Sequence, residues 1–202
     1  VNVEIELGRH RLPKFRPEDD TLPEEFFRKI CEEGFAKLYP GNPTKARERL
    51  EYEMRVIQEM GFISYFLIVW DLIRYAMDNG IPVGPGRGSA AGSIVAYSLG
   101  ITRIDPLKYD LIFERFLNSS RVSMPDIDID FCKERREDML LYVRQRYGDE
   151  NVCQIITFGK LKAKNALRDM ARVSGISLQD ADKAAKLVPD TLNITLEKAL
   201  EE

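Results

Sequence analysis

Histidine and cysteine are scarce in this chain of 202 residues, which carries one histidine, His10, and three cysteines, Cys31, Cys132 and Cys153. Their number is odd, their spacing is wide and no CxxC pair occurs. Neither a disulfide framework nor a thiolate zinc centre is indicated, and a reducing, cytoplasmic setting is expected. One histidine in a charged stretch near the start leaves no His-rich metal site and argues against a Ser-His-Asp triad. Whatever chemistry the chain performs must draw on carboxylates. Strong net charge is lacking too: 30 Lys and Arg against 33 Asp and Glu leave −3. Bulk charge therefore predicts no nucleic-acid partner, and any basic surface has to be local. No apolar run is long enough to span a bilayer, since the longest, Phe62 to Trp70, ends at Asp71 and meets Arg74. A secretory signal is missing as well, and the chain opens on Val1 rather than Met, which suggests a piece of a longer polypeptide.

What is present reads as an ordinary soluble globular protein, with 44% hydrophobic and 31% charged residues and enough length for one good-sized domain or two small ones. Val1 to Leu7 alternate apolar and polar residues like a half-buried strand. A Pro-rich linker from Leu12 to Asp20 precedes a helix that starts near Pro23 and runs to about Leu38. Thr44 is expected to cap a second helix that stops at Gly61, and an apolar helix from about Ser64 ends at Asn79-Gly80. "IPVG" then reads as a short strand, "GPGRGSAAGS" as a turn opening a helix of small residues, and "RVSMPDIDIDF" as a second strand. A helix from about Lys133 to Tyr147 follows. "NVCQIITF" is another strand candidate, and beyond Phe158 the pattern is helical, over Lys160 to Val173 and Ser177 to Leu187.

The acidic strand raises the sharpest question. On a strand, Asp126, Asp128 and Asp130 share one face while Ile127, Ile129 and Phe131 take the other. Neighbouring carboxylates would lie roughly 6.6 Å apart along the backbone. Aspartate is a poor strand former and like charges disfavour one another's ionised form, so a cation is the natural relief. Mg²⁺ suits such a site, because it takes one or two carboxylates and completes its shell with water and substrate phosphates. A solvated acidic face remains the ordinary alternative. An EF-hand loop fits Asp126, Asp128, Asp130 and Glu137, but it fails at Phe131, where that loop requires glycine.

"GPGRGSAAGS" (Gly84 to Ser93) adds a separate indication of phosphate. Glycines let backbone N–H groups approach an anion, and a triphosphate would fit such a turn. It lacks the lysine of a Walker loop. Gly86 to Ala91 satisfies GxGxxA, a dinucleotide fingerprint that is weak alone, and a tight packing turn is equally compatible. In "GKLKAKNALRDMARVSG", Lys160, Lys164, Arg168 and Arg172 recur every four residues on one helix side, with Lys162 in addition, a stripe suited to a phosphate backbone or to solvent.

Taken together, "GPGRGSAAGS", "FERFLN", "RVSMPDIDIDF" and "QIITFGKLKAKNALRD" resemble the bacterial C-family replicative DNA polymerases, the alpha subunits of DNA polymerase III. The resemblance covers most of the chain. It implies an α+β fold: residues 1–155 as an incomplete polymerase-β-like nucleotidyltransferase palm, a small mixed sheet flanked by helices, and residues 156–202 as the start of a helical thumb. It further implies that Asp126 and Asp128 are catalytic ligands of two Mg²⁺ ions, with Asp130 in support. Gly88 and Ser89 match the pair that meets the incoming triphosphate, with Arg87, Arg115 and Arg121 around it. Lys160, Lys162, Lys164, Arg168 and Arg172 would face DNA.

The implied partners are primer-template DNA and dNTP, with a replication clamp and other holoenzyme subunits engaging regions outside the chain, and no membrane. The family's third catalytic aspartate lies on a later strand, so the expectation is that the full protein polymerises and this fragment does not. Two alternatives share the same residues: a non-templated nucleotidyltransferase and a non-catalytic nucleic-acid-binding module.

Overall fold

Apolar side chains occupy nearly every side of the segment ISYFLIVWDLIRYAMD, and a helix of that kind has to be surrounded by others. The computed structural model describes residues 13–118 and 124–201. The expected strand at Val1 to Leu7 and the residues His10 and Arg121 lie outside the described residues. The chain divides into two units, Val1–Cys153 and Gln154–Glu202.

In the first unit, α1 (Pro23–Leu38), α2 (Thr44–Glu59), α3 (Ile63–Asp78), α4 (Ile94–Ser98) and α5 (Arg136–Tyr147) follow in order. α1 opens with proline near its first position and acidic residues in its first turn, both favourable at a helix N-terminus. Thr44 does not cap α2 but begins it, with Pro43 in the capping position. α1 packs on α3 and α4, α2 packs on α4, and α3 meets α5. Phe35, Leu50, Ile57, Phe66, Leu67, Ile94 and Phe113 are fully enclosed in one core. Each large side chain so buried contributes about 1.5–3 kcal/mol before entropic costs. Phe66 sits edge-on to both Phe27 and Phe116, at 6.2 and 6.0 Å.

α5 docks through polar chemistry as well. Tyr142 stacks on Tyr75 at 3.6 Å, and the Tyr142 and Tyr147 hydroxyls donate to Asp71 Oδ2 at 2.7 and 3.3 Å. Burial, reinforced by the Asp71 carboxylate, pushes both phenols above their ordinary range. Among the described residues no single helix is long and apolar enough to cross a membrane, and α2 and α3, which would be only as a pair, meet at a 112° bend.

The expected α+β palm with a small mixed sheet is not found. Among the described residues no strand forms, and "IPVG" and "DIDIDF" meet in one isolated antiparallel bridge between Val83 and Phe131. Gly84 N–H donates to Asp130 O at 2.8 Å and Cys132 N–H to Pro82 O at 3.0 Å. The ladder cannot lengthen. Pro85 has no N–H to give, Gly86 leaves extended geometry at φ +88°, Ile81 N–H is spent on Ala76 O, and Lys133 already begins a 3₁₀ turn. "NVCQIITF" forms no strand either. The segment's Ile155, Ile156 and Phe158 are exposed.

The second unit contains α6 (Ala163–Val173), α7 (Leu178–Leu187) and α8 (Leu196–Glu201). α6 starts three residues later than the periodicity predicts, leaving Lys160 and Lys162 in irregular backbone. α6 and α7 pair through small residues, with Ala171, Ala181 and Ala185 buried, and turn at Gly175 with φ +73°. The Ser177 hydroxyl accepts from Asp180 N–H as the α7 cap.

Two outcomes follow from this packing. A β-carbon on Gly34 would lie 1.8 Å from Ser98 O, where α1 crosses α4. Gly34→Ala is expected to cost at least about 1–3 kcal/mol in denaturant unfolding, because backbone cannot yield as a flexible side chain can. In the second unit, hydrogen bonds from Arg168 and Lys164 hold the Asp182 and Asp190 carboxyls below their ordinary 3.8. A depressed folded pKa adds stability that is present above the unfolded value and lost as pH falls through the folded one. Far-UV circular dichroism should therefore lose a little helicity as pH drops from about 4 toward 2, and Asp182→Asn combined with Asp190→Asn should reduce that loss.

Candidate functional site

The bridge at Val83 and Phe131 lays the glycine turn along the acidic segment. Ile127 and Ile129 pack half-buried against the main core and Phe131 against Ala76, Ile81 and Met139. The aspartates alternate with these anchors, so the side assignment expected of a strand is achieved by extended backbone alone. Tyr65, on α3, accepts a hydrogen bond from Ile127 N–H at 3.1 Å, which fixes the backbone between Asp126 and Asp128. Burial raises the Tyr65 phenol, opposed by the Ile127 bond and reinforced by the two neighbouring carboxylates.

From the turn, Arg87 reaches back. Its Nη1 lies 3.3 Å from Asp128 Oδ2, and its Nε lies 3.0 and 3.3 Å from the two oxygens of Asp130. Gly88 is required by its φ of +71° rather than by space, since a β-carbon there would make only ordinary contact, 3.5 Å from Asp128 Oδ2. Gly84 is tighter, with an added carbon 3.1 Å from the Asp130 side chain.

The expected helix after the turn is a 3₁₀ segment, Gly88–Gly92, followed by the five-residue α4. Ser89 is exposed on that segment. Arg115 ends the 3₁₀ turn Phe113–Arg115, which packs against Gly88–Gly92, and a β-carbon at Gly92 would fall 2.7 Å from Ile112 O. Arg87, Gly88, Asp128 and Asp130 are therefore brought together, while Asp126 lies near Tyr65, Ser89 follows on the same turn and Arg115 sits on the adjoining one. Among the described residues no group of three or more His, Cys, Asp or Glu is poised to hold a metal.

The basic residues of the second unit form a different picture. Lys160 and Lys162 are exposed ahead of α6, whereas Arg168 pairs with Asp182 at 2.8 Å, Lys164 with Asp190, and Arg172 with Asp169 at 3.2 Å.

A family model described as the bacterial DNA polymerase III alpha NTPase domain matches residues 25–202. The chain belongs to this family. It is 52% identical over 197 residues to the DNA polymerase III subunit alpha of Bacillus subtilis strain 168, an overlap of 98% of this chain and 18% of that protein. Its identity to the namesake subunit of Pseudomonas fluorescens is 48% over 213 residues, covering 100% of the chain and 18% of the relative. For Aquifex aeolicus strain VF5 the values are 52% over 189 residues, 92% and 16%. The chain thus spans less than a fifth of the length of these DNA polymerase III alpha subunits.

In this chain, a buried network that the motifs do not announce holds the glycine turn from behind. Glu53 of α2 is fully enclosed. It accepts from Arg49 Nε at 2.6 Å, Ser93 Oγ at 2.7 Å and Val95 N–H at 3.2 Å. Ser93 Oγ in turn accepts from Ala96 N–H and caps α4, while Arg49 Nη2 donates to Gly92 O and Leu111 O. Burial pushes the Glu53 carboxyl up against the downward pull of Ser93 and Arg49. The available signal was position: Glu53 interrupts the apolar stripe of Leu50, Met54 and Ile57. A cavity of about 660 Å³ between α1, α3 and α4 includes none of the predicted site residues.

Removing one partner from a buried charge network is costly. Glu53→Ala is expected to destabilise the chain by about 3 kcal/mol, the low end for such losses because Arg49 keeps some access to water. Glu53→Gln, which still accepts one or two of the bonds, should lose clearly less when both variants are compared by urea unfolding.

Proposed function

We propose that this chain is the nucleotide- and metal-handling part of a template-directed bacterial replicative DNA polymerase. The full-length enzyme would transfer nucleotidyl groups from dNTP to a primer 3′-hydroxyl. The observation that carries this reading is the seating of the glycine turn on the acidic segment, through the 2.8 Å hydrogen bond from Gly84 N–H to Asp130 O. A turn suited to anions and a row of carboxylates suited to cations are thereby held within one side chain's reach.

Asp126 and Asp128 are assigned to hold Mg²⁺, with Asp130 in support. The donor set fits the ion. Mg²⁺ uses one or two carboxylates and fills its shell with water and phosphate oxygens, and both aspartates keep surface in water, with Gly88 beside Asp128. Two ions bound there would supply positive charge to the attacking and leaving oxygens. Gly88 and Ser89 offer the turn's backbone and hydroxyl to the triphosphate, and Arg87, Arg115 and Arg121 bring cations to it. Residues 1–155 handle nucleotide, and residues 156–202 face primer-template DNA with Lys160, Lys162, Lys164, Arg168 and Arg172. A replication clamp and other holoenzyme subunits would engage the rest of a cytoplasmic full-length protein. The 202-residue chain alone is not expected to polymerise.

In the full-length polymerase, Asp126→Asn or Asp128→Asn should each reduce primer extension at least about 100-fold with little change in folding. Normal extension by either variant would overturn the assignment, and extension indifferent to added template would favour a non-templated nucleotidyltransferase.

A further inference from the structure

Arg87 stands between two left-handed glycines, Gly86 at φ +88° and Gly88 at φ +71°, while its own backbone is extended at φ −147°. This geometry throws its side chain across the acidic segment, and the hydrogen bonds at Val83 and Phe131 keep the two segments together without it. The guanidinium then divides its donors. Nε addresses both oxygens of Asp130, and Nη1 takes the Oδ2 oxygen of Asp128. The side chains of Arg87, Asp128 and Asp130 remain 58%, 40% and 59% exposed, so these ion pairs are weak and readily exchanged.

We propose that Arg87 is an exchangeable counterion that competes with a divalent cation for Asp128 and, once displaced, is delivered to the triphosphate, with Asp130 as the pivot that keeps it at hand. The inference rests on the reading of Asp126 and Asp128 given above. A divalent ion needs the carboxylate oxygen that Nη1 holds, and it repels the guanidinium at that distance. The triphosphate offers that same planar guanidinium a bidentate partner of higher charge. Cation binding and nucleotide binding are thus coupled through one side chain, and each should help the other by the same factor. Asp130, which the two-carboxylate metal assignment leaves without a direct task, acquires one.

The test uses Mn²⁺ as the probe, followed by electron paramagnetic resonance on the full-length polymerase, counting only the sites lost in Asp128→Asn. In Arg87→Ala without nucleotide, Mn²⁺ should bind about two- to fivefold more tightly, the range set by an exposed ion pair. In the same variant dGTP affinity should fall, and its enhancement by Mn²⁺ should shrink. Arg87→Lys, which keeps the charge but not the fork, should restore the weaker Mn²⁺ binding without restoring nucleotide affinity. Unchanged Mn²⁺ affinity in Arg87→Ala, with nucleotide-dependent Mn²⁺ sites still present in the wild type, would sink the exchange and spare the site assignment. Absence of any Asp128-dependent Mn²⁺ site, even with dGTP, would overturn both.

Discussion

Two backbone hydrogen bonds, Gly84 N–H to Asp130 O and Cys132 N–H to Pro82 O, are the constraint on which the rest of the site depends. Each is of ordinary strength, worth about 1 kcal/mol net. Their weight lies in position, because they tie together residues 46 and 50 positions apart along the chain and set the register of one segment against the other. With that register, Arg87 meets Asp128 and Asp130 and Gly88 clears them. A slip of one residue would turn the aspartates toward the core and the isoleucines toward water.

Such a short bridge would not persist in isolation. It is held on one side by Ile127, Ile129 and Phe131, which bury against the helices, and on the other by the Arg49, Glu53 and Ser93 network behind the turn. The close approach of Ser98 O to Gly34 and of Ile112 O to Gly92 leaves α1, α4 and the Phe113–Arg115 turn little freedom to slide. The exposed aspartates and arginine are therefore presented by a scaffold whose own polar needs are largely met internally, while their own pairings stay open to exchange with solvent.

Much of this was legible in the residues. Helices α1, α2, α3 and α7 follow from apolar periodicity, proline at helix starts and glycine at stops, because those signals are local, whereas α5 carries no apolar stripe and is marked by its Gly148 stop. The proximity of turn and acidic segment was legible from chemistry, since a row of aspartates wants a cation and a glycine turn wants an anion. The sheet was the error. Val83, Ile127 and Ile129 have strand-like side chains, but strand pairing is decided by neighbours, and Pro82, Pro85 and Gly86 leave the backbone few donors and the wrong dihedrals. Glu53 was hidden because a glutamate in a helix usually faces water, and only tertiary contacts reveal its enclosure. The start of α6 was placed too early for a related reason: charge recurring every four residues marks a face, not the first hydrogen-bonded turn.

The openness of the Arg87 pairings to solvent makes the region responsive to ionic strength. At physiological salt the screening length is about 8 Å, and contacts between solvated groups weaken further as ions are added. Rising salt would loosen the arginine from Asp128 and would equally screen the charges of exposed lysines such as Lys160 and Lys162. Both places would then answer the same change in their surroundings in the same sense, by losing electrostatic attraction.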